Sequence, residues 1–160
     1  MIRIFVSVMV LFAGMSVGFA QEEDSTLTYD IGLSTGRVND VSYTEANLGF
    51  NYKFLDYVAW RNALFGRFAS GADSVYGIDT SLRGMISFGD RQMGLSAFLG
   101  PGFRFVTKGD NAPFAEGGVV LNAAGISIGA GAKSIFNSAV RNGAQNDSQI
   151  FLILAGGGAL

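Results

Sequence analysis

The chain has 160 residues, a formal net charge of −2 and a composition that is 49% hydrophobic but only 15% charged. It contains no Cys, which excludes disulfides and thiolate chemistry, and no His, which removes the commonest general base and metal ligand. Because the net charge is small and negative, the chain offers no basic field to nucleic acid. The length predicts a single domain, and the 23 glycines do not suit long helices.

The first twenty residues have the organisation of a secretory signal peptide. Arg3 gives a positive start, an apolar run covers residues 4–13, and Gly18 and Ala20 are the small residues that precede a cleavage site. The apolar run is too short for a retained transmembrane helix. We therefore expect residues 1–20 to be removed and residues 21–160 to form one exported domain.

From Leu27 onward the sequence alternates apolar and polar residues, which is typical of strands with one apolar face. Eight such runs of about ten residues each have the length that a tilted strand needs to cross a bilayer. Short connections alternate with longer ones, which lie at residues 38–43, 69–75, 107–113 and 136–148. This rhythm predicts an all-β fold, an eight-stranded antiparallel up-and-down transmembrane β-barrel with its longer loops outside.

Aromatic residues of the apolar face concentrate near the ends of the predicted strands, as in the interfacial girdle of a membrane barrel. The predicted girdle contains Tyr29, Phe54, Trp60 and Phe88 at the periplasmic side and Phe68, Tyr76, Phe103 and Phe105 at the outer side. A soluble barrel would instead hide its apolar face inside. The girdle therefore favours a membrane barrel.

All charged residues of the predicted strands lie on the polar face, which the membrane interpretation requires because a lipid-facing Lys or Arg costs about 2–4 kcal/mol near the bilayer midplane. Hairpin spacing predicts three cross-strand ion pairs in the lumen, which are Asp30–Lys53, Arg67–Asp79 and Arg104–Glu116. The other predicted lumen charges are Glu45, Arg61, Arg83 and Lys133. An eight-stranded interior has room only for side chains or a small ligand, so we expect these charges to plug the lumen.

The signal peptide, the eight alternating strands, the girdle and the loop rhythm resemble the small eight-stranded outer-membrane barrels of the OmpA/OmpX type. The resemblance is architectural and covers residues 26–160. It implies a location in the outer membrane of a Gram-negative-type bacterium, contact with outer-membrane lipid and lipopolysaccharide, and insertion by the barrel-assembly machinery. Such barrels usually end on an aromatic residue, whereas this sequence ends on Leu160.

No catalytic, cofactor or metal site is expected, and no nucleic-acid partner. Enzymes among small outer-membrane barrels typically pair a His with a Ser or an acidic residue, and this chain has no His. We therefore expect a structural or surface-contact role through the outer loops, above all residues 136–148. Three alternatives stay open: a soluble lipocalin-like ligand-binding barrel in the periplasm, a narrow conduit for small apolar compounds, and a narrow anion path lined by Arg61, Arg67, Arg83 and Arg104.

Overall fold

A computed structural model of the protein describes residues 27–38, 41–70, 73–89, 93–136 and 147–156. The predicted signal peptide, most of the longest predicted loop and the C-terminal Leu160 lie outside these residues.

Eight antiparallel strands form one closed barrel, in which each strand pairs with its neighbours in the chain and the last strand pairs with the first. The strands are β1 (Leu27–Val38), β2 (Val41–Leu55), β3 (Val58–Ala69), β4 (Val75–Gly89), β5 (Met93–Val106), β6 (Ala112–Ala123), β7 (Ile126–Ile135) and β8 (Asp147–Gly156). Closure leaves no unpaired sheet edge. The prediction of an all-β, eight-stranded antiparallel barrel is confirmed. Within the described ranges, no helix is long and apolar enough to cross a membrane.

The connections define two ends of the barrel. Residues 56–57, 90–92 and 124–125 join strands at the turn end, and the other four connections lie at the loop end. The first of these outer connections is shorter than predicted, because Val38 of β1 pairs directly with Val41 of β2. The strands extend into the predicted loop since backbone groups in the ladder are hydrogen-bonded, whereas groups beyond it need other partners.

Side chains alternate between a buried interior and an exposed outer surface along the strands. On β4, Asp79, Ser81 and Arg83 are buried inside the barrel, whereas Ile78 and Leu82 are 45% and 48% exposed on its outside. The polar face of the alternating sequence thus points inward and the apolar face points outward. This polarity is the reverse of that of a soluble barrel.

The predicted girdle aromatics all lie on β1–β5 and point outward. Tyr29 is half-buried, and the other seven are 37–62% exposed. By contrast, the two aromatic residues of β6–β8, Phe114 and Phe151, are buried inside the barrel. The outward face of those three strands therefore carries no aromatic side chain, although Phe136, which directly follows β7, is 43% exposed beside β6.

Candidate functional site

Among the described residues, ten charged side chains form ion pairs inside the barrel, five of each sign. The acidic residues are Asp30, Glu45, Asp79, Glu116 and Asp147, and the basic residues are Arg61, Arg67, Arg83, Arg104 and Lys133. Nine of these residues are at most 5% exposed, and the Arg67 side chain is 17% exposed. Because an uncompensated charge is costly in a narrow interior, the equal numbers are what allow so many charges to be buried together.

Two of these assignments differ from the sequence prediction. Asp147 was expected in the fourth outer loop, but it is the first residue of β8 and is buried inside the barrel. Lys53 was expected to be a paired lumen charge, but it is only half-buried, at the turn end of β2 and opposite Ala59.

The loop-end half of the network is centred on two arginines. Arg67 contacts Asp147 at 2.8 Å and Glu45 at 3.2 Å. Arg104 binds Glu45 through both terminal nitrogens, at 2.9 and 2.8 Å. The same guanidinium binds both carboxylate oxygens of Asp79, at 2.7 and 2.6 Å. Arg104 of β5 therefore connects β2 and β4 across the lumen, with the planar geometry for which a guanidinium is suited.

The network continues through a lysine. Lys133 donates to Asp79 at 2.7 Å and lies 3.6 Å from Glu116. Glu116 also accepts hydrogen bonds from Arg83 at 2.9 Å and from Ser81 at 2.6 Å. Eight of the ten lumen charges are thus joined in one unbranched series of ion pairs that runs from Asp147 to Arg83.

The remaining two charges form a separate pair. Arg61 donates to the two carboxylate oxygens of Asp30 at 3.0 and 2.6 Å. The amide of Asn51 also donates to Asp30, at 2.8 Å, and Arg61 donates to the side-chain oxygen of Asn47 at 2.8 Å. This pair therefore has both its charge and much of its hydrogen-bonding capacity satisfied by β1, β2 and β3.

The three ion pairs predicted from hairpin spacing are wrong, and all three fail in the same way. Asp30 lies opposite Gly49 instead of Lys53. Arg67 lies opposite Val75 instead of near Asp79, and Arg104 lies opposite Ala112 instead of Glu116. The register is displaced by four residues at Arg104 and by fewer at Arg67, which was expected to lie diagonal to Asp79, because the outer connections are shorter than the sequence indicates. A displacement by an even number of residues keeps every side chain on the same face of the sheet. The predicted faces of the charged residues therefore stay the same, although their cross-strand partners change.

The lumen also contains five aromatic rings, and each lies directly across the strand pair from a glycine. The pairs are Tyr43–Gly36, Phe65–Gly77, Phe98–Gly118, Phe114–Gly102 and Phe151–Gly131. A Cβ atom added at any of these glycines would lie 3.0 Å or closer to the paired ring. The glycines therefore provide the space in which the rings lie against the barrel wall.

Four of these rings carry a cation on the other side. The guanidinium carbons of Arg67, Arg104 and Arg83 lie 3.8, 4.0 and 4.2 Å from the ring centres of Tyr43, Phe65 and Phe98. The ammonium nitrogen of Lys133 lies 4.5 Å from the centre of the Phe114 ring. These distances are in the range of cation–π attraction. Sequence reasoning missed this arrangement, although inward-parity aromatics among glycines were a signal for it.

All five lumen carboxylates form ion pairs. Each of the five has a cationic nitrogen within 2.9 Å. In the part of the chain that the structure describes, no three Asp, Glu, His or Cys side chains are grouped as a metal site would require. A cavity of about 10 Å³ lies among the network side chains, including Ser34 and Asn47, and this volume holds about one water molecule. The arrangement is suited to filling the barrel and cross-linking its strands.

Comparisons with known proteins place the fold among small membrane barrels. No family model and no curated protein sequence matches the chain. Among solved structures, the chain is similar to the outer membrane enzyme PagL, with a TM-score of 0.62 and 12% identity over 79% of this chain and 97% of that chain. It is also similar to a de novo designed transmembrane β-barrel, with a TM-score of 0.58 and 13% identity over 85% and 98% of the two chains. The N-terminal β-barrel domain of Pseudomonas aeruginosa OprF matches with a TM-score of 0.45 and 14% identity, over 81% and 96%.

Identities this low show the shared fold alone. The chain thus resembles the small eight-stranded barrels of outer-membrane proteins. One of the similar structures is an enzyme, but the likeness transfers no activity to this chain.

Proposed function

We propose that the protein is a small outer-membrane β-barrel of a Gram-negative-type bacterium, exported by a signal peptide over residues 1–20 and inserted by the barrel-assembly machinery. Its lumen is plugged by the charged network, and it does not catalyse a reaction. Its role is structural or is carried by surface contacts of the outer loops, the longest of which connects β7 to β8. Outer-membrane lipid and lipopolysaccharide surround the wall.

The observation that carries this proposal is the inverted polarity of the barrel. Every strand has large apolar side chains on its outside that are 37–71% exposed, while ten charged strand residues are inside and Arg37 is exposed at the loop end of β1. Soluble monomers rarely expose apolar patches larger than a few hundred Å², so a lipid environment accounts for this surface. One outward polar pair fits as well, since the Trp60 indole N–H donates to the Thr80 hydroxyl at 2.8 Å. Polar groups in lipid need such internal partners.

The filled lumen argues against the transport alternatives. Arg61, Arg83 and Arg104 of the expected anion path are bound to carboxylates at 2.6–2.9 Å, so these three present little free positive surface to a passing anion. Arg67 binds Asp147 at 2.8 Å, although one of its buried terminal nitrogens has no hydrogen-bond partner. A conduit for small apolar compounds would need an apolar opening through the charged interior. The absence of His supports the non-enzymatic proposal, because it removes the usual base for acyl transfer.

Cell fractionation tests the location, with a known outer-membrane barrel and a known periplasmic protein as markers. We expect the protein to remain in the same fraction as the outer-membrane marker after sodium carbonate washing. We also expect unheated and heated samples to migrate differently on gels. Recovery in the soluble periplasm would contradict the proposal and favour the lipocalin-like alternative. Uptake of an apolar tracer that depends on the protein would favour the conduit.

A further inference from the structure

A layer of apolar side chains lies in the lumen near the turn end of the barrel. Six side chains that are at most 7% exposed form this layer, and they are Ala59, Met85, Phe98, Val120, Phe151 and Ile153. They belong to β3, β4, β5, β6 and β8, so the layer receives residues from opposite sides of the closed sheet. The rings of Phe98 and Phe151 stack at its centre, with centroids 6.2 Å apart and planes 22° apart.

The apolar layer separates two polar regions of the lumen. On each contributing strand the charged inward residue lies on the loop side of the apolar residue, in the pairs Arg61 and Ala59, Arg83 and Met85, Arg104 and Phe98, Glu116 and Val120, and Asp147 and Phe151. On the turn side lies a hydrogen-bonded group of uncharged side chains. In that group Ser96 contacts Ser87 at 2.9 Å and accepts from Asn122 at 3.3 Å, and Asn122 accepts in turn from Ser127. The charged residues Asp30 and Lys53 of β1 and β2 also lie toward this end, because Asp30 pairs with Ala155 and Lys53 pairs with Ala59.

We propose that the apolar layer, and not the ion-pair network, is the barrier that stops ions and water in the lumen. A charged network offers donors and acceptors that can replace the hydration of a passing ion or water. An apolar constriction offers neither, and such constrictions block permeation by excluding water. The network then fills the loop-side lumen and holds the strands together, while the apolar layer makes the barrel tight. This proposal rests on the proposed membrane location.

The competing barrier is the Asp30–Arg61 pair, because β1 and β2 contribute no residue to the apolar layer. Along these two strands the inward residues near the turn end are polar, and they include Asn51 and the half-buried Lys53. If permeation is controlled on this side of the lumen, changes in the apolar layer have little effect and changes in the ion pair have a large one.

The test is ion leakage from vesicles that contain the refolded protein, together with single-channel recording in planar bilayers. The seal variants are the double substitution Phe98→Ala and Phe151→Ala, which removes the stacked rings, and Val120→Ser, which replaces two methyl groups by one hydroxyl. The matched control is Leu152→Ala, which shortens a side chain of the same strand that is 61% exposed on the outside. Asp30→Asn tests the competing barrier. Heat-modifiable gel migration establishes that each variant is folded.

We expect wild type, Leu152→Ala and Asp30→Asn to remain closed, and the seal variants to leak at least tenfold faster than wild type. If the double variant does not fold, Val120→Ser decides. Folded seal variants that stay as tight as wild type would overturn the proposal, as would a leak caused by Asp30→Asn alone. Wild-type protein that does not enter vesicles at all would overturn the proposed membrane location itself, a result distinct from the other two.

Discussion

Removing Arg104 is the sharpest test of the charge balance in the lumen. Arg104→Met keeps an apolar stem beside Phe65 but leaves Glu45 and Asp79 without the guanidinium that binds both. Breaking a buried pair in this way typically costs about 3–5 kcal/mol. We expect a loss of unfolding free energy at the low end of this range, about 3 kcal/mol. Each carboxylate still has one ion pair in the variant, Glu45 with Arg67 and Asp79 with Lys133 at 2.7 Å.

The measurement is urea unfolding of the refolded protein in lipid vesicles, followed by the fluorescence of the single tryptophan, Trp60. Adding Asp79→Asn to Arg104→Met restores equal numbers of lumen charges, so we expect the double variant to recover part of the lost free energy of unfolding. Lys108→Met is the control, because its ion pair with Asp73 is exposed, and it should leave the midpoint unchanged. If Arg104→Met unfolds like wild type, or if Asp79→Asn destabilises it further, the balance of buried charge does not hold the lumen together.

Two further substitutions test the wall and the ring packing by the same unfolding measurement. Gly102→Ala places a methyl group against the Phe114 ring and 2.6 Å from a backbone oxygen, so we expect the free energy of unfolding to fall by about 1–3 kcal/mol. The control is Gly84→Ala, because the nearest atom there is 3.6 Å away. Equal effects of the two substitutions would refute the packing argument. Leu152→Arg places a charge on the outer wall and should lower the free energy of unfolding by about 2–4 kcal/mol, whereas Ser42→Arg, at the loop end, should lower it by about 0–1 kcal/mol. Equal and small losses for the two variants would indicate that the wall faces water.

The faces of the strands could be predicted from the sequence, because alternation depends only on local order. On β4 the apolar residues Tyr76, Ile78, Leu82, Ile86 and Phe88 point outward, as the pattern indicates. Asp79 and Arg83 point inward. The strand register could not be predicted in the same way, because it depends on where each hairpin turns. Val38 pairs with Val41 through a connection of two residues, Asn39 and Asp40. Asn and Asp favour tight turns, but alternation alone does not reveal how far the strands extend toward such a turn.

Some lumen ion pairs join directly paired residues, such as Glu45 with Arg67 and Asp79 with Arg104, but others were out of reach for a second physical reason. Cross-strand reasoning compares neighbouring strands, whereas arginine side chains in a narrow barrel span the lumen. Arg104 of β5 binds Glu45 of β2, and Arg67 of β3 binds Asp147 of β8. The apolar layer was missed because Phe98 and Phe151 are separated by 53 positions in the chain and only closure of the sheet brings them together.

The central claim is that the outer wall of the barrel faces lipid, and spin-label accessibility measures this directly. The natural chain has no Cys, so single labels can be placed on the wall through Leu64→Cys and Leu152→Cys and on an outer connection through Asp73→Cys. In vesicles, we expect the two wall labels to collide with dissolved oxygen and to be shielded from a water-soluble nickel chelate, with the reverse for the label at residue 73. Wall labels that are open to the nickel chelate would contradict the membrane barrel.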